Sequence, residues 1–226
     1  MVKDHQKFDS LGGFNDLIKM RDGWMVYNKN DIYIGKCIKE YGEWSQGEID
    51  ICKQILLPND VVIEVGSNIG SHTLALAKFV KKGVVFAFEP QNIIFQNLCA
   101  NISLNSIMNC FCYQNAVSDK GNEQLFQPNI DYSLPNNFGG ISLSNKKNDF
   151  SLPVNVVTLD DKFNNLASLK ILKLDVEGME LNVLKGGYEL IKRTKPFIYC
   201  ENDRLDKSQE LIEFIFSLGY RIFWHR

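Results

Sequence analysis

The run Val61-Val62-Ile63-Glu64-Val65-Gly66-Ser67-Asn68-Ile69-Gly70-Ser71-His72-Thr73 restricts the fold of this chain more than any other stretch. Its mostly β-branched apolar start, broken only by Glu64, predicts a strand buried in a parallel sheet. A glycine-bearing turn follows, and Thr73 to Val80 places Leu74, Ala77, Phe79 and Val80 at helical spacing. Strand, glycine turn and helix open a nucleotide-binding βαβ unit. The glycines let backbone approach a ligand, and the helix N-terminus presents unpaired N–H groups and a positive dipole end. A P-loop needs a lysine after its second glycine, and none is present. The dinucleotide fingerprint needs Gly-x-Gly-x-x-Gly, whereas the run here is Glu64-x-Gly66-x-x-x-Gly70. Val84 to Phe88 reads as a second strand, ending in Glu89, where such folds place an acid for ribose hydroxyls.

The 226 residues fit one α/β domain with an extension: a hairpin-and-helix segment at 1–57 and a cofactor-binding core at 58–226. Twenty-five basic and 27 acidic residues leave a net charge of −2, which argues against nucleic acid or an anionic membrane as the main partner. No apolar run is long enough to span a bilayer, and Met1 to Lys7 lacks the apolar centre of a signal peptide. Cys37, Cys52, Cys99, Cys110, Cys112 and Cys200 form no Cys-x-x-Cys pair and no zinc spacing. They read as buried, reduced thiols of a cytoplasmic protein.

A short helix is expected around Phe14 to Met20. Trp24 to Tyr27 and Ile32 to Gly35, joined by the turn formers Asn28 to Asp31, predict a hairpin. Ile38 to Glu48, with its charges, aromatics and two glycines, reads as a connection to a helix over Ile49 to Leu57. Gln91 to Asn105 predicts a helix and Asn109 to Tyr113 a third strand. Lys120 to Phe150, rich in Asn, Gly, Ser and Pro, is long for a loop in a compact domain and suggests a lid or binding loop. Within it, Glu123 to Phe126 and Ile141 to Leu143 are expected to pair irregularly. Val154 to Leu159 reads as extended and Asp160 to Leu169 as helical. Ile171 to Asp175 is a fourth strand ending in an acid. Glu180 to Lys192 is a helix weakened by Gly186 and Gly187, and Phe197 to Glu201 is a fifth strand. Lys207 to Leu218 is an amphipathic helix capped by Gly219, and Tyr220 to Trp224 is a sixth strand. The alternation gives a doubly wound, mostly parallel sheet with helices on both faces.

Val62 to Thr73, Phe88-Glu89-Pro90, Asn115-Ala116-Val117-Ser118-Asp119, Asn137-Phe138-Gly139-Gly140 and Leu172-Lys173-Leu174-Asp175-Val176-Glu177-Gly178-Met179-Glu180 together resemble the FkbM family of S-adenosyl-L-methionine (SAM)-dependent methyltransferases. The resemblance covers roughly Tyr41 to Tyr220 and implies a class I, Rossmann-like methyltransferase fold. It also implies a seventh, antiparallel strand beside the fifth. Nothing after Arg226 supplies one, so the expected edge is incomplete, six-stranded, or filled by Val154 to Leu159. The family moves methyl groups mainly to hydroxyl oxygens of sugars and natural products. The implied cofactor is therefore SAM and the implied acceptor a small-molecule or glycan hydroxyl.

Spacing alone supports Glu64, Gly66, Gly70 and Glu89 as cofactor residues. The resemblance adds Ser67, Asn68, His72 and Thr73 from the turn, Pro90 beside Glu89, and Asn115, Ala116 and Ser118 along the adenine. Glu64 would orient the turn or meet the ammonium, and Glu89 would accept the ribose hydroxyls. Transfer to an alcohol needs a base. Asp175, Glu177 and Glu180, which follow a core strand, are the catalytic candidates, with Asp175 also beside the expected sulfonium. Glu201, ending strand five, is a lesser one, and Glu43 and Glu48 are acids of a segment folded over the cofactor. His72 suits cofactor binding or packing better than proton transfer, because a helix N-terminus disfavours its charged form. The carboxylates clustered after strand four would suit a hard cation, but no metal is predicted as a requirement. Tyr41, Trp44 and Phe138 are expected to form a sugar-stacking wall. Two other readings remain: a catalytically inactive binding module, and a NAD-type oxidoreductase with a loosened fingerprint.

Overall fold

The computed structural model describes residues 12–225. The leader-free reading of Met1 to Lys7 lies outside the described residues.

The chain opens with an antiparallel hairpin of β1 (Asn15–Lys19) and β2 (Trp24–Asn28), paired from Asn15↔Asn28 to Lys19↔Trp24. It lies one arm upstream of the expected hairpin, and Phe14 to Met20 contributes a strand rather than a helix. The reason lies in Asn28 to Asp31. Asp31 Oδ1 accepts the Tyr33 N–H at 2.9 Å and its carbonyl accepts the Lys36 N–H, so these turn formers start a helix instead of reversing a strand. Helix α1 (Ile34–Tyr41) runs to Gly42, and α2 (Gln46–Ile55) begins soon after, so Ile38 to Glu48 is mostly helical. The hairpin rests on the core through Asn101, whose side chain bonds both the N–H and the carbonyl of Val26.

The central sheet has five parallel strands in the order β10 (Phe197–Cys200), β9 (Ile171–Leu174), β3 (Val61–Val65), β4 (Val84–Phe88), β5 (Cys110–Tyr113). Side chains alternate between its faces. Ile63, Val65, Leu172 and Leu174 pack against α6 (Glu180–Gly186), α7 (Tyr188–Thr194) and α8 (Leu205–Ser217). Val62 and Ile171 face α2 and α3 (Ser71–Phe79), and Ala87 faces α4 (Asn92–Leu104). Fully burying one such aliphatic side chain contributes about 1.5–3 kcal/mol. Glu64 and Lys173, one residue on from Ile63 and Leu172, share the α2/α3 face and are register partners.

Beside the main sheet, β6 (Ala116–Val117), β8 (Leu152–Val157) and β7 (Gln124–Gln127) make a small sheet in that order. The extended Val154 segment is thus spent here, where Val154 and Val156 bury against Ala116, and adds no strand to the central sheet. Gln124 to Gln127 pairs with β8, and Phe126 makes a single bridge to Ser144. The helix expected at Asp160 to Leu169 shrinks to α5 (Leu159–Lys162), capped by Thr158 Oγ1 on Asp161 N–H. The helix expected over Glu180 to Lys192 divides at Gly187. A Cβ at Gly186 would lie 2.0 Å from the Ser118 carbonyl oxygen, so glycine is what lets α6 cross β6 at backbone distance. Tyr220 to Trp224 forms no strand; Tyr220 and Ile222 pack on the core instead. All six cysteines are free thiols, with only Cys52 buried. No helix among the described residues is long and apolar enough to cross a membrane.

Candidate active site

Two adjoining cavities, one larger than the other, open at the carboxyl ends of the parallel strands. Ligands of open α/β sheets bind there, because strand ends and the following turns supply free backbone and side-chain groups. Gly66, Glu89, Gly139, Asp175 and Glu177 border both.

Immediately after β3, the Gly66 and Ser67 N–H groups both donate to the Phe88 carbonyl at 2.9 Å, which folds the turn back over β4. Gly66 has φ +84°, and a Cβ there would stand 1.7 Å from the Asp175 carbonyl oxygen. Only glycine fits. The next turn residue but one, Asn68, is also left-handed at φ 49°. Its N–H donates to Glu89 Oε2, while Glu89 Oε1 accepts the Gln91 N–H, both at 2.9 Å. Glu89 therefore joins the turns after β3 and β4 and still borders both cavities. Burial pushes its carboxyl up to about 7 against the pull of those two N–H groups. Pro90, Asn115 and Ala116 line the smaller cavity beside it.

Behind the turn lies a buried charge network. Glu64, 1% exposed, accepts the Thr73 hydroxyl at 2.5 Å. Lys173, 2% exposed, places Nζ 3.5 Å from Glu48, 4.0 Å from Glu64 and 3.8 Å from Asp175. Burial alone would discharge this lysine, but the carboxylates of Glu64, Asp175 and Glu48 outweigh it and hold its pKa above the ordinary value. Burial pushes Glu64 up to about 7, restrained by Lys173 and the Thr73 hydroxyl. His72 is pushed down to about 3 by burial and by the charge of Lys173, so its imidazole is neutral. Its Nε2 lies 3.2 Å from the Trp44 carbonyl, which only accepts, so Nε2 carries the proton.

Among the sequence-expected residues, Glu64, Gly66, Ser67, Asn68, His72, Glu89, Pro90, Asn115, Ala116, Asp175 and Glu177 border one or both cavities. Gly70, Thr73 and Ser118 do not. Gly70 packs on Leu98, Thr73 supports Glu64 from behind, and Ser118 bonds Asp119 beneath Gly186. Glu180 is turned away from both: its Oε1 accepts the N–H groups of Val176 and Gly178 at 3.2 Å, holding the turn that carries Glu177. Glu177, at φ 54°, is gripped by Arg204. Glu43 pairs with Arg21 at 2.6 Å, outside the cavities, whereas Glu48 joins the Lys173 network.

The aromatic wall differs from expectation. Phe138 is fully buried, stacked on Tyr132 at 4.9 Å between ring centroids, and its carbonyl accepts Gln91 Nε2. It anchors the loop that carries Gly139 and Gly140. Tyr41 stands exposed at the end of α1, and Tyr33 joins Trp44 in lining the larger cavity. Lys173 and Glu201 complete that cavity. The signal for Lys173 was present: one lysine in the otherwise apolar Ile171-Leu172-Lys173-Leu174, opposite the one acid of Val61 to Val65. Asp175, Glu177 and Glu201 each bring an oxygen within 4.8 Å of the others, the one such acidic trio among the described residues. Arg204 already holds Glu177, and no metal centre is assigned.

An open parallel sheet, a glycine turn tied to a strand-end acid, and a crevice outside the strand ends define a Rossmann-like α/β fold with a ligand site at its strand ends. The chain belongs to the methyltransferase FkbM domain family, whose model matches residues 64–222. It is 30% identical to the 2-O-methyltransferase NoeI of Sinorhizobium fredii over 69% of this chain and 67% of that protein. It is 29% identical to the hexuronic acid methyltransferase AglP of Haloferax volcanii, over 62% of this chain and 56% of that one. The solved structure of a methyltransferase FkbM from Methylobacillus flagellatus shares the fold, with a TM-score of 0.52 and 19% identity over 72% of this chain and 38% of that chain. The chain spans 28% to 67% of the length of the curated relatives it matches.

Proposed function

We propose that this chain is a SAM-dependent O-methyltransferase whose acceptor is a hydroxyl of a sugar, glycan or sugar-like molecule. The observation that carries the reading is the meeting of two unlike cavities at Gly66 and Asp175. The smaller, with Glu89, Pro90, Asn115 and Ala116, has the donors and acceptors a ribosyl-adenine needs. The larger, with Glu64, Asn68 and Asp175 near the junction and Tyr33 and Trp44 farther out, has carboxylates for an ammonium and aromatic faces for a pyranose. The similarity to the 2-O-methyltransferase NoeI supports transfer to oxygen, and that to the hexuronic acid methyltransferase AglP supports a sugar acceptor.

Bound SAM supplies an electrophilic methyl group on sulfonium for in-line displacement by the acceptor oxygen. Residues of this chain would hold the two about 3–3.5 Å apart. Glu89, once ionised, accepts the ribose hydroxyls. Gly66 and Ser67 keep the turn close enough for backbone contact, and Lys173 holds the side chains of Glu64 and Asp175 around the cationic centre. Phe138 fixes the loop that closes the crevice above them.

A thermal shift series with SAM, S-adenosylhomocysteine and NAD tests the reading. A ligand at a hundredfold excess over Kd stabilises the native state by about 2.7 kcal/mol. The expected result is a shift with the first two, lost in Glu89→Ala. A response to NAD alone, or to none of the three, would overturn it.

A further inference from the structure

We infer that Glu201, at the end of β10, is the catalytic base that takes the proton of the acceptor hydroxyl, an assignment that rests on the methyl-transfer reading above. Its place is fixed by the sheet: the Glu201 N–H donates to the Leu174 carbonyl at 3.0 Å, which sets its side chain beside Asp175 in the larger cavity. The other acids around the crevice are engaged. Glu64 holds Thr73, Glu89 holds two N–H groups, Glu177 holds Arg204, Glu180 holds two N–H groups, and Asp175 faces Lys173 at 3.8 Å. Glu201 Oε2 is different. It is buried and has no hydrogen-bond partner, although an oxygen of this carboxyl lies within 4.8 Å of both Asp175 and Glu177 and the residue lines the larger cavity. An unpaired acceptor in such a place costs free energy unless something donates to it. Rotation of the carboxyl toward the cavity would present this oxygen to a hydroxyl entering between the Tyr33–Trp44 wall and the junction at Asp175, and afterwards to water.

The electrostatics suit the role. Burial, then the charges of Asp175, Asp203, Glu177 and Glu180, push the Glu201 carboxyl up to about 8. Arg204, on Glu177 and Asp203, and Lys173, behind Asp175, are the nearby cations. A base is most effective when its pKa lies near the working pH. In the step itself, the acceptor O–H bond breaks and its proton passes to Glu201. The freed oxygen pair forms the O–CH3 bond as the S–CH3 bond breaks, and that bonding pair stays on sulfur. The products are a methyl ether, the neutral thioether S-adenosylhomocysteine and protonated Glu201, which returns its proton to water.

The test compares wild type, Glu201→Gln and Glu201→Asp as full chains with equal melting temperatures. Calorimetric titration with SAM in two buffers of different ionisation enthalpy counts protons released on binding. At pH 7.5 a carboxyl with a pKa of about 8 carries roughly three quarters of a proton, much of which the incoming sulfonium expels. Glu201→Gln should release about half a proton less than wild type with SAM, and the deficit should shrink with S-adenosylhomocysteine, which lacks the sulfonium charge. With methyl pyranosides as acceptor probes, Glu201→Gln should lose about 10²–10⁴-fold in kcat, with the KM for SAM unchanged within about threefold. The rise of kcat/KM toward pH 8 should vanish, and Glu201→Asp should restore part of the rate. Equal proton release by wild type and Glu201→Gln, an unchanged pH profile, or activity abolished by EDTA and restored by Mg²⁺ overturns the assignment alone. Failure of the wild type to bind SAM overturns the proposed function, and the assignment with it.

Discussion

Replacing Lys173 by methionine removes the charge and keeps the unbranched stem. β9 lies between β10 and β3, so water does not reach the vacated position. Three carboxylates lose their partner, but their freedom differs. The side chains of Glu48 and Asp175 are 24% and 40% exposed and can turn to solvent, whereas Glu64, at 1%, cannot. The cost therefore falls on Glu64. In the wild type its pKa stands at about 7, and loss of Lys173 lets it climb further. A carboxyl whose folded pKa exceeds its unfolded value binds an extra proton in the native state. Stability is full below the unfolded value and falls by about 1.4 kcal/mol per pH unit until the folded value is reached. In wild type that decline ends near pH 7; in Lys173→Met it continues. The two proteins should thus differ little through Glu64 at pH 6 and by about 3 kcal/mol at pH 9. Urea unfolding of the ligand-free proteins across that range, analysed by linear extrapolation, measures the difference. A penalty constant with pH, or largest on the acid side, would refute the reasoning.

Phe138→Ala should cost about 3–5 kcal/mol, as for other fully buried aromatics, and should also weaken SAM binding about tenfold or more, because Gly139 borders both cavities. Denaturant melts and calorimetry check the two halves, and a full-strength SAM site in the variant would show that the loop anchored by Phe138 does not shape the crevice. Gly66→Ala should abolish the SAM-induced thermal shift and lower the melting temperature, since its Cβ has no room beside the Asp175 carbonyl. A variant that binds SAM normally would mean that the turn relaxes without cost.

The parallel core was legible because a doubly buried strand carries its own signature. Val61 to Val65, Val84 to Phe88, Ile171 to Leu174 and Phe197 to Cys200 are short apolar runs bounded by turn formers, and each lies where the pattern put it. The hairpin was misplaced because Asn28 to Asp31 serves equally to reverse a strand and to start a helix. Only the Asp31 contacts to Tyr33 and Lys36 decide between them. The β6-β8-β7 sheet was hidden for another reason. Its pairing of Ala116 with Val156 is long-range, and nothing local encodes it. The cavity border at Glu64, Gly66 and Glu89 follows directly from chain position after a strand. The fates of Glu177 and Glu180, three residues apart, do not. One turns out to Arg204 and the other inward to two N–H groups, and the left-handed backbone at Glu177 separates them.

The arrangement also explains why a buried lysine is tolerated in the middle of a sheet. An isolated buried ammonium would lose its proton or unfold the strand. Here the cross-strand partner Glu64 shares its burial, and Glu48 reaches it from α2. The same network carries the outer wall. Glu48 and the His72 bond to the Trp44 carbonyl tie both ends of the segment from Trp44 to Glu48 to β9 and α3. His72 holds Trp44 without competing for charge, because burial and Lys173 keep its ring neutral. The wall around the larger cavity therefore stands on the ion network beneath the glycine turn. His72 also joins the two directly: its Nδ1 lies 3.9 Å from Glu64 and its Nε2 3.2 Å from the Trp44 carbonyl, so only one side chain separates the buried carboxyl from the wall.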